Sequence, residues 1–417
     1  MKNNSILKGT GVILCACLFF FSGCLSTKYP SIHKTKEGGY VLLVNGKPFL
    51  IKGVSYNPAP IGRGFDYNLY KDPNKPWFID GKLMKKMGTN CIRVYSSGND
   101  VDKLRDFVRE MYDKFGIYTI VGDWLGLWDG CPNYADKAFR EKVTSRVLKI
   151  VSALKDEKGI LMWVLGNENN YSCTGNVAFW TTPEIEKIDN PALKIQRRAQ
   201  IYYSFVNELA KKIKEIDKNH LVALGNGEAT LLDVASKVCT DIDVLALIVY
   251  RGKRFGNFFN GIKRIFDKPV LLSEFGADSY NAYKNKEDQD MQSIFLKSQW
   301  EDLYKNTVFS GNKKGNCLGG IVFEWSDEWW KHNEGYSPDW SVHNREAGWS
   351  NGSYYFDIRA PNNLNMNEEW FGLVSLSKER ENNINKRIPK KAYYTLKKLW
   401  TTTDIQSHHV TKSQSHK

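Results

Sequence analysis

The segment LMWVLGNENNYS, residues 161–172, begins as an apolar strand and ends abruptly in polar residues. Its apolar run is followed directly by Gly166, Asn167 and Glu168. A carboxylate beside apolar side chains loses hydration, and its pKa rises because the charged form is disfavoured. Such a carboxyl group can donate a proton near neutral pH. Glu168 is therefore the first candidate for chemistry.

A second glutamate lies in the same setting in PVLLSEFGAD, where Glu274 stands at the end of another apolar run. Two carboxyl groups at one site can divide the cleavage of a glycosidic bond, one as general acid and base and the other as nucleophile. When the groups are about 5 to 5.5 Å apart, the anomeric configuration is retained. We expect Glu168 to hold the proton and Glu274 to stay ionised and attack the anomeric carbon.

Further polar and aromatic residues at strand ends can support this pair. Ionisation of Glu274 needs a cationic or hydrogen-bonding neighbour, which we expect Arg93 and Tyr250 to provide. Asn167 is expected to bond to the sugar 2-hydroxyl, and Trp325 to offer a flat apolar face to a pyranose ring. Three others either line sugar subsites or only cap their strands: Asn57, Asp123 and Trp124.

These residues can meet only if the strands that carry them end at one edge of a sheet. Apolar runs of strand length occur at eight places: 49–56, 89–96, 118–124, 160–168, 221–227, 243–250, 269–275 and 319–325. The segments between them have helical periodicity, as between Leu104 and Phe115. Alternating strands and helices predict an α/β fold, a (β/α)8 TIM barrel, whose active site lies at the carboxyl ends of the strands.

The segments outside the eight units are assigned from turn residues and composition. YVLLVNGKPFLIKG, from residue 40, predicts a hairpin that turns at Asn45-Gly46 and covers the barrel bottom. Residues 389–400 predict the eighth helix, and 403–417 a disordered polar tail. The connection over 326–388 is long enough to indicate a functional loop. Its tryptophans are interpreted either as platforms for sugar rings or as a small core under the loop. Residues 40–402 are interpreted as one catalytic domain.

Several motifs carry a family resemblance. GNE at 166–168, SEFG at 273–276, NGKPFLIKGVSYNP and GTNCIRVYS resemble the clan of (β/α)8 retaining glycoside hydrolases with glutamates on strands four and seven. NGKPFLIKGVSYNP and GGIVFEWSDE are similar to the catalytic barrel of family 2, whereas NCIRVYS and FGIYTIVGDW are similar to the yeast-type β-1,3-glucanosyltransferases. The resemblance implies an acid/base at Glu168 and a nucleophile at Glu274. It also implies four supporting residues: Asn167, Arg93, Tyr250 and Trp325.

Residues 1–23 have the composition of a secretion signal. Two lysines precede an apolar run over 12–21 that is too short to span a membrane. The residues up to Cys24 resemble a bacterial lipobox, which implies cleavage before Cys24, its acylation and a tether over 24–39. We therefore expect an exported protein, lipid-anchored to the periplasmic or surface face of the bacterial cell envelope. A soluble secreted protein cut nearby and an uncleaved anchor are the alternatives.

Five cysteines follow residue 24: Cys91, Cys131, Cys173, Cys239 and Cys317. An odd number leaves at least one unpaired. Cys131 and Cys173 lie in loop sequences, and either a disulfide between them or two free thiols fits the pattern. No Cys-x-x-Cys spacing suggests a zinc site, so we expect neither a metal nor an organic cofactor.

The net charge of +13 is spread along helical segments, as solvated helix faces would explain. No arginine-rich cluster alternates with aromatic residues, so nucleic acid is not an expected partner. The expected partners are an oligo- or polysaccharide substrate and, through the lipid anchor, a membrane.

Together these features predict a retaining β-glycoside hydrolase acting on a β-glucan or related β-linked glycan. It would act by double displacement through a covalent glycosyl-enzyme on Glu274. One alternative, a β-glucan transglycosylase, uses the same residues and passes the sugar to an acceptor sugar instead of water. The other is a non-catalytic glycan-binding surface lipoprotein.

Overall fold

A computed structural model describes residues 29–128, 132–175, 177–281, 284–331 and 367–412, with side chains up to 402. In these ranges eight parallel strands close into a barrel. They are β1 (Ile51–Ser55), β2 (Cys91–Val94), β3 (Tyr118–Asp123), β4 (Ile160–Leu165), β5 (Leu221–Gly227), β6 (Val244–Ile248), β7 (Val270–Phe275) and β8 (Cys317–Val322). Each lies within or overlaps one of the eight predicted runs, which confirms the predicted barrel.

Each strand pairs in parallel with the next, and β8 pairs with both β7 and β1 to close the barrel. The strands are buried along their whole length. One face of each strand lines the barrel interior and the other is covered by helices, which explains why the sequence shows continuous apolar runs instead of alternation.

Helices follow the strands around the outside of the barrel. The long ones are α1 (Trp77–Met87), α2 (Val101–Phe115), α3 (Lys137–Leu154), α4 (Pro191–Ile216), α5 (Leu232–Val238), α6 (Phe258–Ile265), α7 (Gln289–Lys305) and α8 (Lys391–Lys412). Two single-turn helices, Tyr171–Thr174 and Pro183–Glu186, lie between β4 and α4. Aspartates cap several helices; Asp100, for example, accepts a hydrogen bond from the Lys103 amide at the start of α2.

The bottom of the barrel is covered by a small antiparallel sheet of three strands, Ser31–Lys34, Tyr40–Val44 and Lys47–Pro48. Its hairpin turns at Asn45 and Gly46, both with positive φ, as predicted. The segment predicted as a tether, 24–39, thus contains a strand. Ile32 in that strand packs on the apolar cluster that fills the barrel bottom, which holds the segment against the domain.

The connection after β8 contains regular structure that the sequence analysis assigned to a loop. Val374–Glu381 and Ile384–Pro389 form an antiparallel hairpin, the C-terminal hairpin. Its turn residues Asn382 and Asn383 have φ of 51° and 63°, values that asparagine tolerates better than most residues. The side chain of Trp329 packs with Ile61 in a small apolar cluster, in agreement with the core interpretation. Trp340 and Trp349, two other tryptophans of this connection, lie outside the described residues.

The final helix, α8, extends to Lys412, past residue 403, where the sequence analysis began a disordered tail. Residues 401–412 contain no glycine or proline, so nothing in the backbone stops the helix there. Residues 413–417 lie outside the described part of the chain.

The described residues include no helix that is both long and apolar enough to cross a bilayer. Cys24 and Cys131 lie outside the described ranges. Cys173 is buried with a free thiol, which agrees with the second of the two cysteine alternatives.

Candidate active site

Glu274 lies at the end of β7 with its side chain nearly enclosed, at 7% exposure for the residue. Three groups donate hydrogen bonds to its carboxylate. Arg93 Nη1 and Tyr95 Oη lie 2.9 and 2.8 Å from Oε1, and Tyr250 Oη lies 3.1 Å from Oε2. Ser55 Oγ is 3.0 Å from the Tyr95 hydroxyl and holds it in place. The carboxylate is therefore fixed in position and orientation.

Arg93, on β2, joins the ends of β4 and β7. Its Nη1 also donates to the carbonyl of Ser273, and its Nη2 donates to Asn167 Oδ1 at 2.5 Å. The guanidinium lies over the Tyr95 ring, with Cζ 4.5 Å from the ring centre. One buried cation therefore positions the nucleophile candidate and the residue that precedes the acid candidate.

Two opposing influences act on the pKa of Glu274. Burial raises the pKa of its carboxyl above the usual value, because the charged form loses hydration. The Arg93 charge and the hydroxyls of Tyr95 and Tyr250 lower the pKa, since all three stabilise the carboxylate. The groups expected to keep Glu274 ionised are thus in contact with it, and Tyr95 adds to those predicted.

Glu168 follows a sharp turn after β4. Gly166 has φ of 85°, and a Cβ there would lie 2.6 Å from the Tyr202 hydroxyl, so only glycine fits. Asn169 Oδ1 accepts a hydrogen bond from the Asn167 amide at 2.6 Å, which closes the turn. Glu168 itself has φ of 58°, an uncommon value for a residue with a side chain and one that recurs at functional sites.

The pKa of the Glu168 carboxyl is raised to about 8. Burial is the main cause, and the negative charges of Glu274 and Glu368 add to it, while Arg93 and Lys331 act in the opposite direction. Glu168 remains partly exposed, so a ligand in the barrel mouth can reach it. The prediction of a carboxyl group that is protonated near neutral pH is consistent with these surroundings.

A second group of carboxyls lies beyond the end of β8. Glu324 and Glu328 are buried, and burial raises the pKa of both side chains. Lys331 forms an ion pair with Glu368 at 2.5 Å. The charge of Glu368 raises the pKa of Glu168 and of Glu274, so Glu368 adds negative potential to the mouth, whereas Lys331 lowers the pKa of Glu168. These carboxyls are not among the residues predicted from the sequence.

Aromatic rings form one wall of the mouth. Trp124 stacks on Tyr95 with ring centres 5.3 Å apart, and its edge meets Trp128. Trp128 is 55% exposed. Phe323, which follows β8, is partly exposed and packs edge-to-face on Tyr250. The wall therefore combines flat apolar faces with the carboxylates, a combination suited to sugar rings.

Two predicted site residues have other roles. Trp325 is fully buried, with its ring edge against Tyr393 of α8, so it belongs to the core and offers no face to a sugar. Both carboxylate oxygens of Asp123 accept hydrogen bonds from Arg146 of α3, at 2.8 and 3.0 Å. That carboxylate ties β3 to the helix layer, and its Oδ1 also accepts a hydrogen bond from the Leu125 amide, which agrees with the capping alternative.

Asn57 lies exposed just after β1, where its carbonyl accepts a hydrogen bond from the Ala59 amide. This contact agrees with the prediction that Asn57 caps its strand. Glu228 at the end of β5 forms an ion pair with Arg251, through two hydrogen bonds from Nε and a third from Nη2.

Tyr95 and Phe323, like Trp128 and the carboxyls beyond β8, are site residues that the sequence did not predict. Tyr95 lies two positions after Arg93, and residues two apart in a strand project from the same face. That alternation, continued one step past the end of β2, would have placed Tyr95 beside Arg93. Phe323 carries no such signal, because its orientation depends on packing after the strand has ended.

The family model described as glycosyl hydrolases family 2, TIM barrel domain, matches residues 36–313, more than half of the chain. The chain belongs to this family.

Known proteins extend this comparison. A 1,3-beta-glucanosyltransferase of Saccharomyces cerevisiae is 25% identical over 328 residues, which cover 72% of this chain and 60% of that protein. A β-glucuronidase of Bacteroides uniformis superposes with a TM-score of 0.56 at 17% identity, over 89% of this chain and 37% of that one. The GH2 β-galacturonidase of Eisenbergiella tayi superposes with a TM-score of 0.54 at 17% identity, over 90% of this chain and 54% of that one. The two solved structures share the fold, and this chain spans less than two thirds of each of the three proteins.

We predict that Tyr95→Phe moves the acidic limb of the pH–activity profile to higher pH. The Tyr95 hydroxyl stabilises ionised Glu274, so its loss raises the pKa of that carboxyl further. A hydrogen bond to a charged group contributes about 1.5 to 3 kcal/mol, which corresponds to roughly one to two pH units. The measurement is kcat/KM for an aryl glycoside from about pH 4 to about pH 9, a range that starts near the usual pKa of a carboxyl group and extends to higher pH.

Tyr70→Phe is the matched control, because the Tyr70 hydroxyl donates to the Ser96 carbonyl and not to a carboxylate. It should leave the acidic limb unchanged. If Tyr95→Phe lowers activity equally at every pH, the hydroxyl does not influence the ionisation of Glu274.

Proposed function

We propose that this protein is a retaining β-glycosidase that cleaves a β-glucan or related β-linked glycan by double displacement. The observation that carries the proposal is the difference between the surroundings of two glutamates at one barrel mouth. Glu274 receives hydrogen bonds from Arg93, Tyr95 and Tyr250, all of which favour its charged form. Glu168 lies in surroundings that raise its pKa to about 8 and favour its protonated form.

In the first step, a Glu274 carboxylate oxygen attacks the anomeric carbon and forms a glycosyl ester. The bond from that carbon to the leaving oxygen breaks, and Glu168 gives its proton to the departing oxygen. Asn167 lies beside both groups, because it precedes Glu168 and shares Arg93 with Glu274. Since Arg93 donates to its Oδ1, the amide N–H groups of Asn167 are left to donate to a sugar hydroxyl.

In the second step, Glu168 is ionised and acts as the base. It takes a proton from a water molecule, whose oxygen attacks the anomeric carbon and releases Glu274 as a carboxylate. Two inversions at the same carbon give net retention. The separation of about 5 to 5.5 Å between the two carboxyl groups that this mechanism requires remains a prediction.

A glucan substrate is supported by the likeness to the yeast 1,3-beta-glucanosyltransferase and by the aromatic wall of the mouth. The exposed Trp128 and the partly exposed Trp124 offer apolar faces to the C–H face of a glucose ring.

We also propose that the protein is exported and anchored by a lipid on Cys24. The proposal rests on the signal-like composition of residues 1–23. The geometry is compatible with it, since Tyr29 packs against His220, next to the start of β5 at the barrel bottom. A tether that precedes Tyr29 would join the domain at the end of the barrel opposite the mouth.

A transglycosylase is the second candidate, and the yeast glucanosyltransferase likeness favours it. The first step is unchanged, and a sugar hydroxyl replaces water in the second. Incubation of the enzyme with one β-1,3-linked glucose oligosaccharide separates the two activities. Products longer than the donor indicate transfer, whereas a series of shorter products alone indicates hydrolysis.

We predict that Glu274→Ala abolishes turnover of a dinitrophenyl β-glucoside and that azide restores it. In this variant azide takes the place of the carboxylate and gives the α-glycosyl azide.

In Glu168→Ala, loss of the general acid and base lowers turnover of natural substrates by roughly 10² to 10⁴-fold, and azide gives the β-glycosyl azide. Proton NMR of the products identifies the anomers.

The matched control is Glu228→Ala, which removes another strand-end glutamate whose partner is Arg251. It should keep kcat within a few-fold of the wild type. Activity at the wild-type level in Glu274→Ala, or an inverted first product from the wild type, would exclude the mechanism.

We predict that kcat/KM falls as the pH rises through about 8, because Glu168, whose pKa is raised to about 8, must be protonated to act as the acid. The protonated form predominates below this pH and is lost above it. The limb should be steep for an alkyl β-glucoside and absent for dinitrophenyl β-glucoside, whose leaving group needs no proton. A limb of equal size with both substrates would assign it to another group.

A further inference from the structure

A cavity of about 710 Å³ lies outside the catalytic centre, between the segment that follows β1 and the C-terminal hairpin. Its volume is within the range of roughly 300 to 1,000 Å³ found for ligand sites. Residues 58–76 form one wall and residues 380–387 the other. Neither Glu168 nor Glu274 lines it, so the proposed reaction leaves this cavity unexplained.

The base of the cavity is a rigid buried network. Arg387 donates from Nε and Nη2 to the two carboxylate oxygens of Asp80, at 2.9 and 3.1 Å, and both side chains are buried. Tyr56 Oη donates to Asp80 Oδ2 at 2.8 Å. Because Asp80 belongs to α1 and Arg387 to the C-terminal hairpin, this network holds the hairpin on the barrel and keeps the cavity open.

Hydrogen bonds also join the two walls directly. Arg380 Nη2 donates to the Ile61 carbonyl at 3.0 Å, and the Ile61 amide donates to Asn385 Oδ1 at 3.3 Å. Asn385 in turn donates to the Ser377 carbonyl within the hairpin. The walls therefore have a fixed separation, as a binding site that is formed before its ligand arrives requires.

The rim offers both donors and acceptors. Arg63 and Asp66 lie 3.8 Å apart with exposed side chains, and Lys71 lies 3.5 Å from Asp100. Arg380, which donates to a carbonyl, is balanced by the carboxylate of Asp72, which also lines the cavity. The described charges around the cavity therefore balance, which does not favour an anion over a neutral ligand. Hydroxyl groups, which both donate and accept hydrogen bonds, suit such a rim better.

An aromatic ring stands beside the cavity. Phe65, in the segment that follows β1 and next to the lining residue Asp66, is 75% exposed, and its ring centre lies 6.2 Å from that of Trp330. An exposed ring next to a polar cavity is suited to the apolar face of a sugar. Trp330 precedes Lys331, which forms an ion pair with Glu368, so Phe65 contacts the segment after β8 that also carries charged groups of the mouth.

We propose that this cavity binds a neutral segment of the glycan chain at a distance from the bond that is cleaved. The inference rests on the proposed function, because it places the chain of the same substrate. Phe65 stacks on one sugar ring, and Arg63 and Asp66 bind its hydroxyls. A long chain then gains binding energy that a single sugar cannot reach.

The test compares two substrates in Phe65→Ala and Asp66→Ala. We expect kcat/KM for a β-1,3-linked glucose hexasaccharide to fall roughly five- to tenfold in Phe65→Ala, the loss expected for one aromatic contact. Asp66→Ala should lower it in the same direction. The value for p-nitrophenyl β-glucoside should not change, because that substrate occupies only the catalytic centre. Thermal unfolding verifies that each variant is folded.

Tyr394→Ala is the matched control, since Tyr394 is an exposed aromatic residue of α8, at 58% exposure, that does not line the cavity. It should change neither rate. Unchanged hexasaccharide rates in both cavity variants, or equal losses on both substrates, would overturn the proposal.

Calorimetric titration separates this proposal from the proposed function. If the wild type turns over neither substrate, the proposed function fails, and titration of the hexasaccharide still tests the cavity. Weaker binding by Phe65→Ala than by the wild type supports it, and equal or undetectable binding by both contradicts it. Tighter binding of a galacturonate hexasaccharide than of the glucose hexasaccharide would also contradict it, because the rim would then select charge.

Discussion

The site depends on one buried cation, the guanidinium of Arg93. A charge without water is unfavourable unless partners compensate it, and here the compensation comes from Glu274, the Ser273 carbonyl and Asn167. The planar group reaches β4 and β7 at once, which a lysine ammonium at the same position could not do with the same geometry. The positions of the two candidate carboxyls are thereby coupled, since each is attached to a strand end that this cation holds.

Around that cation the barrel creates two different environments for one type of side chain. Burial raises the pKa of both, but Glu274 receives three donors that favour its charged form, whereas Glu168 faces the negative charges of Glu274 and Glu368. The difference arises from strand position and not from sequence neighbours, because Arg93 and Tyr95 come from the end of β2 and Tyr250 from the end of β6, whereas Glu274 lies on β7. Glu368, which arrives after β8, adds to the negative potential near both. A parallel barrel is well suited to this, since each strand end adds one group to a shared mouth.

The sequence predicted the barrel because each buried strand is a continuous apolar run that stops at a polar residue. It also named Arg93, Asn167, Tyr250 and Glu274, which the structure brings into one hydrogen-bonded network, since buried charges need partners. Trp325 was misjudged, and the two alternatives for Asp123 could not be separated, for a common reason. A residue at or past a strand end can face the helices as easily as the mouth, and tertiary packing decides which. The C-terminal hairpin was missed because its pairing lies within a segment read as a loop for its polar composition.

The turn that carries Glu168 leaves no space for a side chain at residue 225 of the neighbouring strand β5. A Cβ at Gly225 would lie 2.1 Å from the Gly166 carbonyl oxygen, a backbone atom that cannot move without shifting the turn. In a collection of related barrels, residue 225 can therefore serve as a marker. Members that keep both glutamates but carry a side chain at this position would have a displaced acid, and their retained catalytic residues would be a misleading guide to activity.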